Sequence, residues 1–202
     1  MIKLMKYLKK SAGYIVLIIA LLFLQAYCDL SLPDYTSKII NVGIQQKGIE
    51  DSVPDKLRDS TLQNLQIFMD EDQKKEVSQN YTQEEDTWVL NKETRESLNE
   101  DFSKAMMMVS AFSEDSEQGQ AMVAQMGLPE GTDPLTALAQ MPEEAVQQIM
   151  SQVDERLKDM PESIVTQAGV SFVASEYEAL GKDVDAIQMR YILMSGIRML
   201  AM

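Results

Sequence analysis

The chain has 202 residues, 45 % of them apolar, which suffices for a packed core and argues against disorder throughout. Its 18 Lys and Arg against 32 Asp and Glu leave a net charge of −14, which disfavours nucleic-acid binding by phosphate neutralisation. One Cys excludes an internal disulfide, and the absence of His removes Ser-His-Asp triads, Cys-His dyads and the usual zinc sites.

The charge is unevenly spread. Lys3, Lys6, Lys9 and Lys10 open the chain with no acid among them, residues 44–188 hold 30 acids and 11 bases, and Arg190 and Arg198 stand alone after that. Basic ends around an acidic middle point to different surroundings for the ends and the middle.

Residues 1–12 begin MIKLMKYLKK, with Ile2, Met5 and Leu8 at a spacing of three, and predict a short basic amphipathic helix suited to a headgroup plane. A plain topogenic flank of lysines explains the same composition. Gly13–Pro33 follows, 21 residues with Asp29 as the one formal charge. As a helix it would be roughly 31 Å long, matching a bilayer core of about 30 Å. The run Tyr14–Leu24 is apolar on every face, which disfavours a buried helix of a soluble domain. The lysines before it and the acids after it place the amino terminus in the cytoplasm and residues 44–182 outside the cell. A cleavable signal peptide shares this beginning, but Leu24 and Tyr27 spoil a small-residue site at Ala26, and Tyr27 is wrong for a lipidated Cys28. The helical pattern continues through Tyr35, Ile39, Ile40 and Val42, with Pro33 expected to kink it and Gly43 to cap it. The first helix and its extension thus take residues 13–43.

Within residues 44–182 three helices are predicted strongly. In 93–112, Leu98, Phe102, Ala105, Met106, Val109 and Phe112 form one apolar face. In 142–160, Val146, Ile149, Met150, Val153, Leu157 and Met160 do the same, opened by Pro142 with Glu143 and Glu144. Pro161 and Glu162 open a third, to Leu180, with Ile164, Val165, Ala168, Phe172, Val173 and Tyr177. Residues 55–68 and 71–79 are also predicted helical, Thr87–Leu90 (TWVL) a short strand, and Gly127, Pro129, Gly131 and Pro134 a loop.

Gly181 closes the third helix, and residues 183–202 start another, with Asp183 and Asp185 at its head. From Ile187 the sequence IQMRYILMSGIRMLAM makes about 24 Å of helix, too short to cross a bilayer. It has the look of a helix cut part-way, and a surface amphipathic helix is the alternative. Arg190 can snorkel to an outer surface, whereas Arg198 would need protein or water around it in a membrane.

No catalytic residue is predicted. The methionines Met106, Met107, Met108, Met122, Met126, Met141, Met150 and Met160 suggest soft copper ligation but sit at apolar helical positions, where core packing explains them better. Asp70, Glu71 and Asp72, and Glu84, Glu85 and Asp86, lack the calcium-loop pattern and read as helix-start or solvated charge. Asp29 and Arg198 are the polar residues at membrane depth, and interfacial solvation or pairing with another helix is the plainer account of each.

MIKLMKYLKK, the apolar span and LPDYTSKIINVGI together resemble the start of the transmembrane domain of ATP-binding-cassette exporters of the multidrug and lipid type. The matching features are Leu32–Pro33, Ile39–Ile40 and Gly43–Ile44, and SEYEALGKDVDAIQMRYILMSGIRML resembles the entry to the second transmembrane helix of members with a large extracytoplasmic insertion. Together these segments cover about a third of the chain. The resemblance implies a mainly α fold: an elbow, one complete transmembrane helix, an acidic helical extracytoplasmic domain with at most a small β element, and the start of a second transmembrane helix. It further implies a plasma-membrane location and, as partners, lipid, the remaining helices, a nucleotide-binding domain and a second half-transporter, identical or different. These residues contain no G-x-x-x-x-G-K-[ST] phosphate loop, so they hold no cofactor and are no enzyme; ATP and Mg²⁺ would belong to a nucleotide-binding domain elsewhere in the full-length ATPase. The alternative from another class is a signal-anchored, single-span extracytoplasmic binding or scaffold protein.

Overall fold

The computed structural model describes residues 12–91, 95–113, 116–125, 127, 129, 131–158 and 160–202. The amphipathic segment expected over 1–12 lies outside them save for Ala12, as does Met126. The chain is mainly helical and divides into two compact units, one made of residues up to Gly48 and from Gln188 onward, the other of Ile49–Ile187.

The first unit contains α1, Ala12–Lys38, which passes through Pro33 and continues as a π-helical stretch, Ile39–Gln45. None of the residues of α1 is buried. The helix Ala12–Gln45 is long and apolar enough to cross a membrane. Gly43 was expected as a cap; it is instead buried inside the π-helical stretch, which ends two residues later, and the chain turns at Lys47 and Gly48, both left-handed.

In the second unit β1 is Lys56–Arg58, α2 Asp59–Gln66, α3 Glu71–Asn80, β2 Tyr81–Glu84, β3 Thr87–Leu90 and α4 Arg95–Ala111. Then come α5, Glu117–Gln125, α6, Pro134–Ala139, α7, Glu143–Leu157, and α8, Glu162–Ala179; α9, Val184–Ala201, begins here and ends in the first unit. The sheet is antiparallel in the order β1-β3-β2, with Leu57 opposite Trp88 and Gln83 opposite Trp88 from the other side. The strand β3 agrees with the sequence expectation. β1 corrects the helix expected over residues 55–68: Lys56, Leu57 and Arg58 alternate with Leu57 fully buried, Pro54 favours extended backbone at Val53 before them, and the helix starts only at Asp59. β2 was not foreseen, because TQE carries no apolar alternation after Tyr81.

The core forms where α4 packs along α8. Leu98, Phe102, Ala105, Met106 and Val109 of α4 are buried as their spacing predicts. Phe102 stacks on Tyr81 with ring centres 5.8 Å apart, and Phe68 stacks on Phe112 at 6.1 Å. On α8 Val165, Val173 and Tyr177 are buried as expected, with Ala168 and Phe172 partly so; Ile164 is exposed, and the buried face extends to Val170, Ala174 and the charged Glu176. Met160, assigned to the α7 face, is also exposed, since it lies past the end of that helix.

Local signals explain several boundaries. Asp70 caps α3 by accepting from the backbone N–H groups of Asp72 and Gln73, and Gln73 returns a bond from the Asp70 backbone N–H, a complete capping box. Asp133 caps α6 with Pro134 as its first residue. Gly181 ends α8 at φ 73°, and Asp183 accepts from the Ala186 N–H at the head of α9. Among the expected loop residues, Gly127 and Gly131 take positive φ, but Pro134 belongs to a helix.

Candidate functional site

The paired helices of the first unit are built from three residue types. Pro33 has no N–H, so the Asp29 carbonyl receives no amide from position 33. The wider π turn follows, with the Gln46 N–H reaching Asn41 O at 3.0 Å and the Gly48 N–H reaching Val42 O at 2.8 Å. Single π turns of this kind recur at functional positions of helices. Gly43 leaves room for α9: a Cβ there would stand 2.8 Å from Ile192 Cγ1. Gln188 Nε2 then donates to the Gly43 carbonyl at 2.9 Å and approaches that of Ile44 at 3.4 Å. At the opposite end the Cys28 thiol donates to the Met202 backbone oxygen at 3.1 Å. The two helices therefore run antiparallel, with Gly43 beside Gln188 and Ile192 at one end and Cys28 beside Met202 at the other. Half-covered Ser31 and Tyr35 on α1, Ile39 at the start of the π-helical stretch, and buried Ser195 with half-covered Met199 on α9 lie between these ends.

Asp29 shares one side of α1 with Pro33, Thr36 and Ser37, continued by Ile40 of the π-helical stretch. Thr36 Oγ1 donates to Leu32 O at 3.0 Å, and Asn41 Nδ2 donates to Ser37 Oγ at 3.0 Å, so the hydroxyls near Asp29 are spent within the helix. Arg198 is exposed on α9. Asp29 and Arg198 are not brought together, and among the described residues neither forms an ion pair. Gln188 and Gly43, which make the actual contact, were missed as a pair; a Gln heading an apolar helix and a Gly inside another were the only traces in the sequence.

The second unit carries three polar nodes that periodicity did not show. Glu176 is buried and accepts from the Arg58 backbone N–H at 2.7 Å, from its guanidinium at 2.7 Å and from Thr61 Oγ1 at 2.9 Å. Burial alone would raise its carboxyl, but the bonds from Arg58 and Thr61 outweigh that and hold it below the ordinary value. Arg95 bridges Asp51 at 3.0 Å and Asp55, and also donates to Val53 O at 2.8 Å. Burial raises the Asp51 carboxyl against the pull of Arg95. The Asp55 N–H donates to Tyr177 Oη at 2.8 Å, and Lys182 Nζ lies 3.9 Å above the Tyr177 ring centre. Burial pushes the Tyr177 phenol up to about 12, so it stays protonated at neutral pH. Third, the hydroxyls of Ser52 and Ser103 meet at 2.7 Å under Gly169. These nodes fasten the segment 51–58 to α4 and α8.

The acidic clusters are accounted for locally: Asp70 caps α3 with Glu71 and Asp72 in its first turn, and Glu85 takes a left-handed φ of 54° in the turn joining β2 to β3. Met106 and Met108 are in the core, with Met122, Met141 and Met150 packed against it. Among the described residues no three His, Cys, Asp or Glu side chains are grouped to hold a metal. In comparisons with known proteins no family model matches the chain, and no curated protein and no solved structure matches it.

Proposed function

We propose that the chain supplies the amino-terminal part of the transmembrane subunit of an ATP-driven exporter: elbow, first transmembrane helix, acidic extracytoplasmic domain and the beginning of the second transmembrane helix. The observation that carries this reading is the antiparallel return of α9, joined by Gln188 at one end and Cys28 at the other, to a helix on which no residue is buried and most apolar side chains are exposed. Such a surface is stable in lipid, and a compact unit that falls in sequence between two antiparallel helices suits an extracytoplasmic insertion between two crossings. In this reading the amino terminus is cytoplasmic, α1 lines part of the translocation path, and ATP and Mg²⁺ act on a nucleotide-binding domain supplied elsewhere. The resemblance of the two end segments to the exporter family supports the class. The transported substrate and the second half-transporter are not specified by these residues.

A second reading has its own support, since α9 carries Arg190 and Arg198 and α1 is the one described helix apolar enough to cross a membrane. It makes the chain a single-span, anchored extracytoplasmic binding or scaffold protein. The natural coding sequence beyond Met202 distinguishes the class: the exporter requires further apolar spans and a phosphate-loop motif there, and an immediate stop with neither in any frame overturns it. A reporter active only in the cytoplasm, fused to the carboxyl end of the natural gene product, is expected to give signal. Silence, with the fusion intact in membranes, establishes the single anchor instead.

A further inference from the structure

The second unit contains a cleft of about 590 Å³ that none of the reading above uses. It lies between the end of α2, the head of α3, α4, the end of α6 and α7. Its size is that of a small-ligand or short-peptide site. Met69 and Leu138 form a buried floor, and Met141 and Met150 are half-exposed over it. Methionine floors adapt to apolar groups of varied shape.

One acid of the cleft forms no ion pair among the described residues. Asp101 is half-buried, and Gln73 Nε2 donates to its Oδ1 at 2.7 Å. Among the described residues its other oxygen accepts no hydrogen bond, and no Lys or Arg pairs with it. The two lysines that line the cleft are directed to other acids, Lys74 to Glu71 at 3.0 Å and Lys104 to Glu100 at 2.9 Å. A half-buried carboxylate with a neutral donor on one side and an open lone-pair direction on the other favours an incoming ammonium group. Burial raises the Asp101 carboxyl above its ordinary value, with Glu76 and Glu100 adding to it and the Gln73 bond and the charge of Lys104 offsetting it in part. The lining also presents the amide groups of Gln66 and Gln147, which make no hydrogen bond among the described residues. Amides both donate and accept, which is what an extended peptide backbone requires of its partner.

We propose that this cleft binds a short extended peptide segment carrying a lysine beside an apolar residue, the ammonium on Asp101, the apolar side chain on the methionine floor and the backbone against the glutamine amides. The charge of the domain favours the encounter, because residues 44–188 are strongly acidic. This inference stands without the exporter reading, since it concerns binding and not transport.

The test uses the full chain in detergent with two probes, a dansylated Leu-Lys-Phe-Gly amide and the same peptide with its lysine Nε-acetylated. Energy transfer from Trp88, the sole tryptophan, reports binding. Asp101→Asn is expected to weaken the lysine peptide at least ten-fold and to leave the acetylated peptide unchanged. Glu84→Gln, the same loss of charge at an exposed residue of β2, is expected to leave both unchanged. Helical circular dichroism and the melting profile of Asp101→Asn guard against a folding loss. The proposal is overturned if the wild-type chain shows no transfer with the lysine peptide, if Asp101→Asn binds it as tightly as wild type, or if Glu84→Gln weakens it as much.

Discussion

Gly169→Val is expected to lower the unfolding free energy of the Ile49–Ile187 unit by about 3 kcal/mol. In an open helix, replacing Gly would stabilise by up to about 1 kcal/mol. Here the sign reverses, because a Cβ at Gly169 would stand 2.3 Å from Ser52 Oγ, 2.8 Å from Ser52 Cβ and 3.1 Å from Ser103 Cα. Neither serine has room to retreat. Ser52 is fully buried with its N–H donated to Asn99 Oδ1 at 2.8 Å, and Ser103, also buried, donates its hydroxyl to Asn99 O at 2.6 Å. The added side chain must either break that network, leaving buried hydroxyls unsatisfied, or part α4 from α8. Urea unfolding followed by the fluorescence of Trp88 measures it, and a midpoint at or above that of wild type refutes the close packing. Gly169→Ala is expected to cost less, and combining it with Ser52→Gly to recover most of that loss, a non-additivity that unrelated sites do not show.

Glu176→Gln has the second-largest expected effect, about 2 kcal/mol at neutral pH. The glutamine retains an acceptor for the Arg58 backbone N–H but loses the charge that faces the guanidinium and Thr61. Arg58 remains 47 % exposed, so water compensates it in part and the cost falls below that of breaking a fully buried pair. The pH dependence carries the sign of a lowered carboxyl. As pH falls, the unfolded chain takes up the Glu176 proton first, near the ordinary value of 4.5, and the stabilisation disappears as pH passes down through the lower native value. The gap between wild type and Glu176→Gln is therefore expected to hold steady above the ordinary carboxylate range and to close below it. Asp51 and Asp101, raised by burial, act in the opposite direction but in both proteins alike, so they cancel in the difference. A gap that persists unchanged into acid contradicts the assignment of Glu176 as the ionised partner of Arg58.

The parts of this fold that were legible in the sequence are those where one local rule acts alone. The apolar run Tyr14–Leu24 admits hardly any arrangement but an exposed apolar helix, and the spacing of Leu98, Phe102, Met106 and Val109 defines the buried side of α4 without help from elsewhere. Thr87–Leu90 stands out because TWVL is rich in strand formers. What escaped was decided by partners distant in sequence. Leu57 looks like the start of a helix until Trp88 pairs with it. Glu176 looks solvated until Arg58 arrives from β1 to neutralise it. Gly43 has the residue type of a cap, but it lies inside the π-helical stretch, where its missing Cβ leaves room for Ile192. The cleft was least legible, because Asp101 and Gln73 meet across helices and neither carries a motif.

The central claim is that α1 lies in lipid and that the chain returns to that lipid along α9. Washing isolated membranes of the native host with alkaline carbonate, then locating the intact chain, tests it most directly. The account predicts that the chain stays in the membrane pellet and leaves only with detergent. Quantitative release of the intact, uncleaved chain into the wash would contradict it.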